Sequence, residues 1–377
     1  MHSERIAAIF QENFTSFGEV GASLSIWCEG REVLNLAGGS RDRNGAQPWT
    51  ADTPVLIWSA TKGLAAACVL HACAEHALPL DTPVAAVWPE FASAGKDAVT
   101  IAELLSHRAG LSALSREVPV LDHRAVADAL AEERPQWTSG SAHGYHPRTF
   151  GFLVDEMIRR LSGIPLGSYW RSRFAEPLAL DAWIGIDPAR AESIAPVFAA
   201  RTAPSKEDRF YREFATVGSL TGRSFASPRG LHSVSAMNSL DARTASLPAF
   251  GGIATAHALG KFYAILAEGG SFAGKRFFEQ ITLDSMGTTL VDGPDRVLLM
   301  DTAFSAGFMK DPVDANGQKT RAIFGPSQRA FGHPGAGGSI AFADPEHRIA
   351  FAYVMNQMEP GVLPNAKALR LIEALYA

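Results

Sequence analysis

Ser59 and Lys62 lie three residues apart in Val55-Leu56-Ile57-Trp58-Ser59-Ala60-Thr61-Lys62-Gly63. A serine hydroxyl becomes an effective nucleophile when a base takes its proton. A lysine can be that base when it is neutral, and burial or a helix N-terminus drives it that way. A short apolar run ends at Trp58, and an Ala-rich segment, Leu64 to Leu70, follows Lys62. The pattern predicts an extended segment that delivers Ser59 to the start of a helix. Ser59 and Lys62 then share one helix face.

Serine is also a preferred N-cap. A capping box would place Glu or Gln three residues on, and this chain places Lys62 there. A cation in the first turn opposes the helix dipole by about 0.3–1 kcal/mol. The residue that is wrong for a cap is the one that suits a base. A second match, Ser93-Ala94-Gly95-Lys96, carries Gly95 inside it and no apolar helix after it. It is set aside on that ground.

A Ser/Lys site needs a second proton handler and donors for an oxyanion. Gly144-Tyr145-His146-Pro147 offers a tyrosine that, as tyrosinate or sharing its proton with Lys62, can act as base. A structural tyrosine is the plainer alternative. Phe331-Gly332-His333-Pro334-Gly335-Ala336-Gly337-Gly338-Ser339 sits at an expected strand. Glycines in or beside a strand point to close approach of a ligand or another backbone, or to an ordinary loop. His143 and His146 could ligate zinc, but no third ligand is signalled.

The elements that must position these residues follow from periodicity. Glu4 to Phe17 reads as an amphipathic helix, and Ala22–Cys28 with Val33–Gly39 as a hairpin. Thr100 and Glu103 form a capping box at the start of a helix that runs to Gly110. Helical patterns continue at His123 to Glu133, Arg148 to Ser162 and Pro165 to Phe174. From 186 to 250 periodicity is poor, and long loops carrying aromatics are expected. Ala254 to Glu268 reads as a helix. Strands are expected at Phe304–Met309, Arg321–Phe324, Arg329–His333, Ser339–Ala343 and Ile349–Met355, with a turn at Asp344–His347. Asn365 to Tyr376 is a terminal helix. The order predicts a split α/β domain from both chain ends, 1–75 plus 240–377, with a mainly helical domain, 76–239, inserted. A cleft between the two is the expected ligand site.

The 377 residues are 47% hydrophobic and 19% charged, so the chain folds around a sizeable core. A net charge of −5 argues against nucleic acid as a partner. Cys28, Cys68 and Cys73 are too few for a closed disulfide set. No long apolar run follows the charged N-terminus, and none elsewhere reaches a membrane span. The expectation is a cytoplasmic protein with reduced thiols.

Together these motifs resemble the serine β-lactamase and penicillin-binding-protein superfamily, in its family VIII carboxylesterase branch, which is akin to class C β-lactamases. Ser59-x-x-Lys62 matches the first motif and Tyr145 the second, and His333-Pro334-Gly335 stands where the third, Lys-Thr-Gly, would be. Leu104-Leu105-Ser106-His107-Arg108-Ala109-Gly110-Leu111 and Gly252-Ile253-Ala254-Thr255-Ala256 also fit. The resemblance implies a β-lactamase-like α+β fold: an antiparallel sheet flanked by helices, with the helical insertion. It implies acyl transfer to Ser59, with Lys62 and Tyr145 as acid–base pair. Backbone N–H groups of Ser59 and Ala336 would hold the oxyanion, and His333, Gly335 and Trp58 would contact substrate. No cofactor or metal is called for. The expected partner is a small-molecule ester.

Two departures bear on substrate. Pro147 replaces the asparagine of the usual Tyr-x-Asn, and His333 replaces the lysine. His333 is expected to donate one hydrogen bond, toward an ester oxygen or Tyr145. Both changes favour esters over β-lactams. A β-lactamase, a D-alanyl-D-alanine peptidase, an acyltransferase to an alcohol, or an idle binding protein on the same fold are the alternatives.

Overall fold

Strand Ile349–Met355 alternates small and large side chains. Ala350, Ala352 and Val354 face one core; Phe351, Tyr353 and Met355 face another. Successive side chains of a strand point to opposite faces, so this strand needs cover on both sides. The neighbouring strand Ile340–Asp344 repeats the division, with Ala341 and Ala343 on the first face and Ile340 and Phe342 on the second. Helix Ala256–Ala267 lies on the small-residue face. The terminal helices Ser3–Ser16 and Ala366–Tyr376 pack together, and their apolar residues join the large-residue core.

The computed structural model describes residues 2–205 and 208–377. Among them the largest sheet is antiparallel and has eight strands. Its order is Arg31–Gly39, Gly21–Cys28, Ile349–Met355, Ile340–Asp344, Phe331–Pro334, Met309–Lys310, Asp301–Phe304 and Val291–Pro294. The two ends of the chain therefore meet as its second and third strands, where Leu24 pairs with Tyr353. A buried Lys367–Glu19 ion pair at 3.0 Å, with the Tyr353 hydroxyl donating to Glu19, ties the last helix to the first segment. The helix Thr61–Glu75 is apolar nearly all round and is buried against Thr149–Ser162 and Leu166–Trp170. No helix among the described residues is long and apolar enough to cross a membrane.

Several expectations need correction. Residues 186–250 are not long loops: helices Arg209–Ala215, Leu220–Ala226, Val234–Met237 and Leu240–Thr244 lie there. Asp208, Ser219, Ser233 and Ser239 cap them. Each has seven residues or fewer, too short for a 3.6-residue period to emerge. Lys206 and Glu207, within that stretch, lie outside the described residues. Phe304–Met309 is not one strand but a hairpin, because Ser305 and Phe308 close a turn. Arg321–Phe324 is not a strand. The backbone N–H groups of Ile323 and Phe324 donate to the Asp311 carboxylate, not to a neighbouring strand. The helix opened by the Thr100–Glu103 capping box ends at Leu105, short of Gly110, as His107 turns to a φ of 61°.

Candidate active site

Strand Val55–Leu56 pairs with Gly252–Ala254. The Ile57 N–H donates to the Gly252 carbonyl, and the Gly252 N–H donates to Thr61 Oγ1. This strand end fixes a single 3₁₀ turn, Trp58–Ala60, from which the helix Thr61–Glu75 starts. Trp58 has a φ of 48°, a left-handed conformation that costs a non-glycine residue and recurs at functional sites. Ser59 caps neither helix with its side chain. Its Oγ lies 3.4 Å from Lys62 Nζ.

Lys62 is fully buried. Its Nζ donates to the carbonyls of Pro147 and Ala249, each at 2.8 Å. Burial first, and the charge of Arg148 second, push its pKa well below the ordinary lysine value. A neutral amine has two N–H groups and one lone pair. With both N–H groups on carbonyls, the lone pair is left for the third neighbour, Ser59 Oγ. Lys96 of the rejected match differs. Its ammonium donates to three carbonyls, those of Ser93, Ala131 and Glu133, and ties down a loop.

Tyr145 is buried, and its hydroxyl hydrogen-bonds to Ser59. Burial raises its pKa despite that bond, so the ring is a neutral phenol and not a tyrosinate. Its backbone is held from behind by Asp295, whose carboxylate accepts the N–H groups of Tyr145, Val297 and Leu298 and the Thr302 hydroxyl. Phe304 stacks on the Tyr145 ring at 6.1 Å. His107 sits beside it, accepting the His146 N–H at Nδ1 and the Gly144 N–H at its carbonyl. That is what the Leu104–Leu111 motif does here: it holds the tyrosine segment. His146 is a structural residue. Its Nδ1–H donates to the Gly144 carbonyl, and its Nε2 accepts the Leu111 N–H. His143 donates to Thr302. No cluster of metal-ligating side chains occurs among the described residues.

His333 lies on the strand Phe331–Pro334, its ring 5.9 Å from that of Tyr145. Its Nδ1–H donates to the Pro334 carbonyl at 2.8 Å. That bond leaves Nε2 without a hydrogen, so the expectation of a donor there is corrected: Nε2 is an acceptor. It is buried and unpartnered among the described residues. Burial, with Lys62 nearby, lowers the His333 pKa to about 3, so the ring is neutral. Beyond it, Gly335 passes against the Ile57–Trp58 backbone. A Cβ there would stand 2.2 Å from the Ile57 carbonyl oxygen. Only glycine allows the strand end to approach the Ile57–Trp58 segment this closely. Trp58, Ser59 and Ala336 are half-buried, whereas Lys62, Tyr145 and His333 lie beneath them. The three motif segments thus meet at one point, with Ser59 nearer the surface than Lys62, Tyr145 and His333. The sequence reading did not find Asp295, Ala249 or the backbone role of Pro147. The latter two act through carbonyls, which every residue has.

The chain resembles several known proteins. It is 33% identical to the esterase/beta-lactamase LipL of Mycobacterium tuberculosis (strain ATCC 25618 / H37Rv), over 90% of this chain and 77% of the relative. A penicillin-binding protein homologue from Caulobacter crescentus superposes with a TM-score of 0.88 at 34% identity, covering 99% of this chain and 96% of that one. A family VIII carboxylesterase gives the same TM-score and coverage at 31% identity. Matched by it over residues 7–376, the chain belongs to the Beta-lactamase family.

Proposed function

We propose that this protein is a serine carboxylesterase that hydrolyses compact carboxylic esters through an acyl-enzyme on Ser59. The observation that carries the reading is the lysine cage. Two carbonyls occupy the N–H groups of a buried amine whose remaining direction faces the serine. In the acylation step Ser59 Oγ attacks the ester carbonyl carbon, and its proton passes to Lys62 Nζ. Backbone N–H groups of Ser59 and Ala336 take the oxyanion. Collapse breaks the bond to the leaving alcohol, which takes a proton from Tyr145, and Lys62 returns one to Tyr145. Water then attacks the acyl carbon, giving its proton to the same pair, and Ser59 leaves with a hydrogen restored. No cofactor enters. Three free thiols suit a reducing compartment.

Pro147 and His333 favour esters over β-lactams. Proline offers no side-chain amide, and its carbonyl is spent on Lys62. His333 is neutral, with an acceptor where a lysine would bring a cation, so a substrate carboxylate finds no counter-charge there. The double name of the mycobacterial relative makes β-lactam hydrolysis the second reading. The test is kcat/KM for p-nitrophenyl acetate or butyrate beside that for a chromogenic cephalosporin. The ester should be preferred by orders of magnitude. Equal turnover of the cephalosporin would replace this reading with the second.

A further inference from the structure

The cage around Lys62 has its own support. Arg148 follows Pro147, and Phe250 follows Ala249, so each residue adjoins one of the carbonyls that hold the amine. The Arg148 guanidinium lies over the Phe250 ring, 4.6 Å from its centroid. Both side chains are buried, at 7% and 5% exposure. The two segments also touch directly: a Cβ on Gly151, in the first turn of the helix after Arg148, would stand 2.6 Å from the Ala249 nitrogen. On its far side Arg148 donates to the carbonyls of Gly230 and Leu231.

We infer that Arg148, stacked on Phe250 and anchored to the Gly230–Leu231 backbone, is a positioning residue that locks the Pro147 and Ala249 carbonyls around Lys62. It touches no reacting atom. A buried guanidinium on an aromatic face is a stiff, planar connection. It joins three segments distant in sequence at the one place where their separation sets the direction of the lysine lone pair. The inference rests on Lys62 being the base. Arg148 has a second effect through its charge. The other titratable groups around Lys62 are Tyr145, His107, His146 and His333, all neutral through burial. Arg148 stays cationic at neutral pH, although burial lowers its pKa to about 10. His232 Nδ1 lies 3.4 Å from it, and burial and Arg148 keep that ring's pKa low. Burial is the larger cause of the low Lys62 pKa, and the Arg148 charge adds to it.

The test uses Arg148→Met, Phe250→Leu and the double variant, with thermal unfolding to score the folded fraction. Each single variant should lower kcat about tenfold or more while KM stays within about threefold, the signature of a group that orients the reacting pair. The double variant should be little worse than the worse single, because both break one contact. In Arg148→Met the rising limb of the pH–rate profile should also move to higher pH, as the repelling charge is gone. In Phe250→Leu it should stay in place. Native kcat in both folded singles, or fully additive losses, would overturn the inference. Should Arg148→Met not fold, Arg148→Lys carries the test. It keeps the charge without the planar fork, so kcat should fall with the limb unmoved, and native kcat would overturn the inference. Lys62→Met separates the two readings. Activity surviving it defeats the assignment of the base. A dead Lys62→Met enzyme beside native Arg148 and Phe250 variants defeats only the positioning role.

Discussion

Lys62 Nζ donates to the Pro147 carbonyl at 2.8 Å across 85 residues of sequence. The position where the family's usual motif has an asparagine thus contributes a main-chain acceptor, and main-chain carbonyls hold the amine on two sides while the Ser59 hydroxyl faces it on the third. A carbonyl oxygen accepts from a neutral amine as well as from an ammonium, so the cage does not require the charge that burial disfavours.

The pH dependence follows. In the proposed mechanism Lys62 works as a base only when neutral, and its pKa is pushed well below the ordinary value. Activity should therefore be low at acid pH and rise as pH passes the lowered pKa. The rise in kcat/KM should be complete well below about pH 10.4, where an ordinary lysine loses its proton. Tyr145 is shifted upward, so it adds no fall in the same range. The limb reports the coupled pair. A limb centred in the ordinary lysine range would contradict a buried neutral base.

Tyr145→Phe keeps the ring that stacks on Phe304 and removes the hydroxyl bonded to Ser59. Loss of acid–base help should lower kcat on the order of 10²-fold or more. The Asp295 contacts, made to the backbone, should survive with the fold. Near-native kcat in this variant would remove Tyr145 from the mechanism.

Much of the site was legible because side-chain chemistry and local constraint coincided. Ser59 and Lys62 stood out through a cation where a cap partner belongs. Gly335 stood out because a glycine-rich strand has a reason in close approach. The capping box of Thr100 and Glu103 is formed as read. Illegible were contacts made by backbone or set by tertiary geometry: the Ala249 carbonyl, the tautomer of His333, and Asp295 gathering three N–H groups. The short helices of 209–244 were missed for a different reason. Their serine and aspartate caps were present, but no run was long enough to carry a period.

Acid should unfold the protein through its buried histidines. His146 and His333 have folded-state pKa values lowered to about 3, and that of His107 is lowered well below the ordinary value. Above about pH 6.5 both folded and unfolded states leave these rings neutral. As pH falls below that, the unfolded state takes up protons that the folded state refuses, and stability is lost toward the folded values. Each ring contributes a slope of roughly 1.4 kcal/mol per pH unit in that window. Urea midpoints measured between about pH 7 and 5, above most carboxylate titration, should fall steadily. A flat or rising midpoint would show that these rings charge in the native state.

The most direct measurement is the site of covalent capture. After reaction with a p-nitrophenyl phosphonate, peptide mapping by mass spectrometry should place one adduct on Ser59. Ser59→Ala should take up no label and show no esterase activity, and Ser93→Ala should label and turn over as the native enzyme does. An adduct on another residue, or native activity in Ser59→Ala, would contradict the account at its centre.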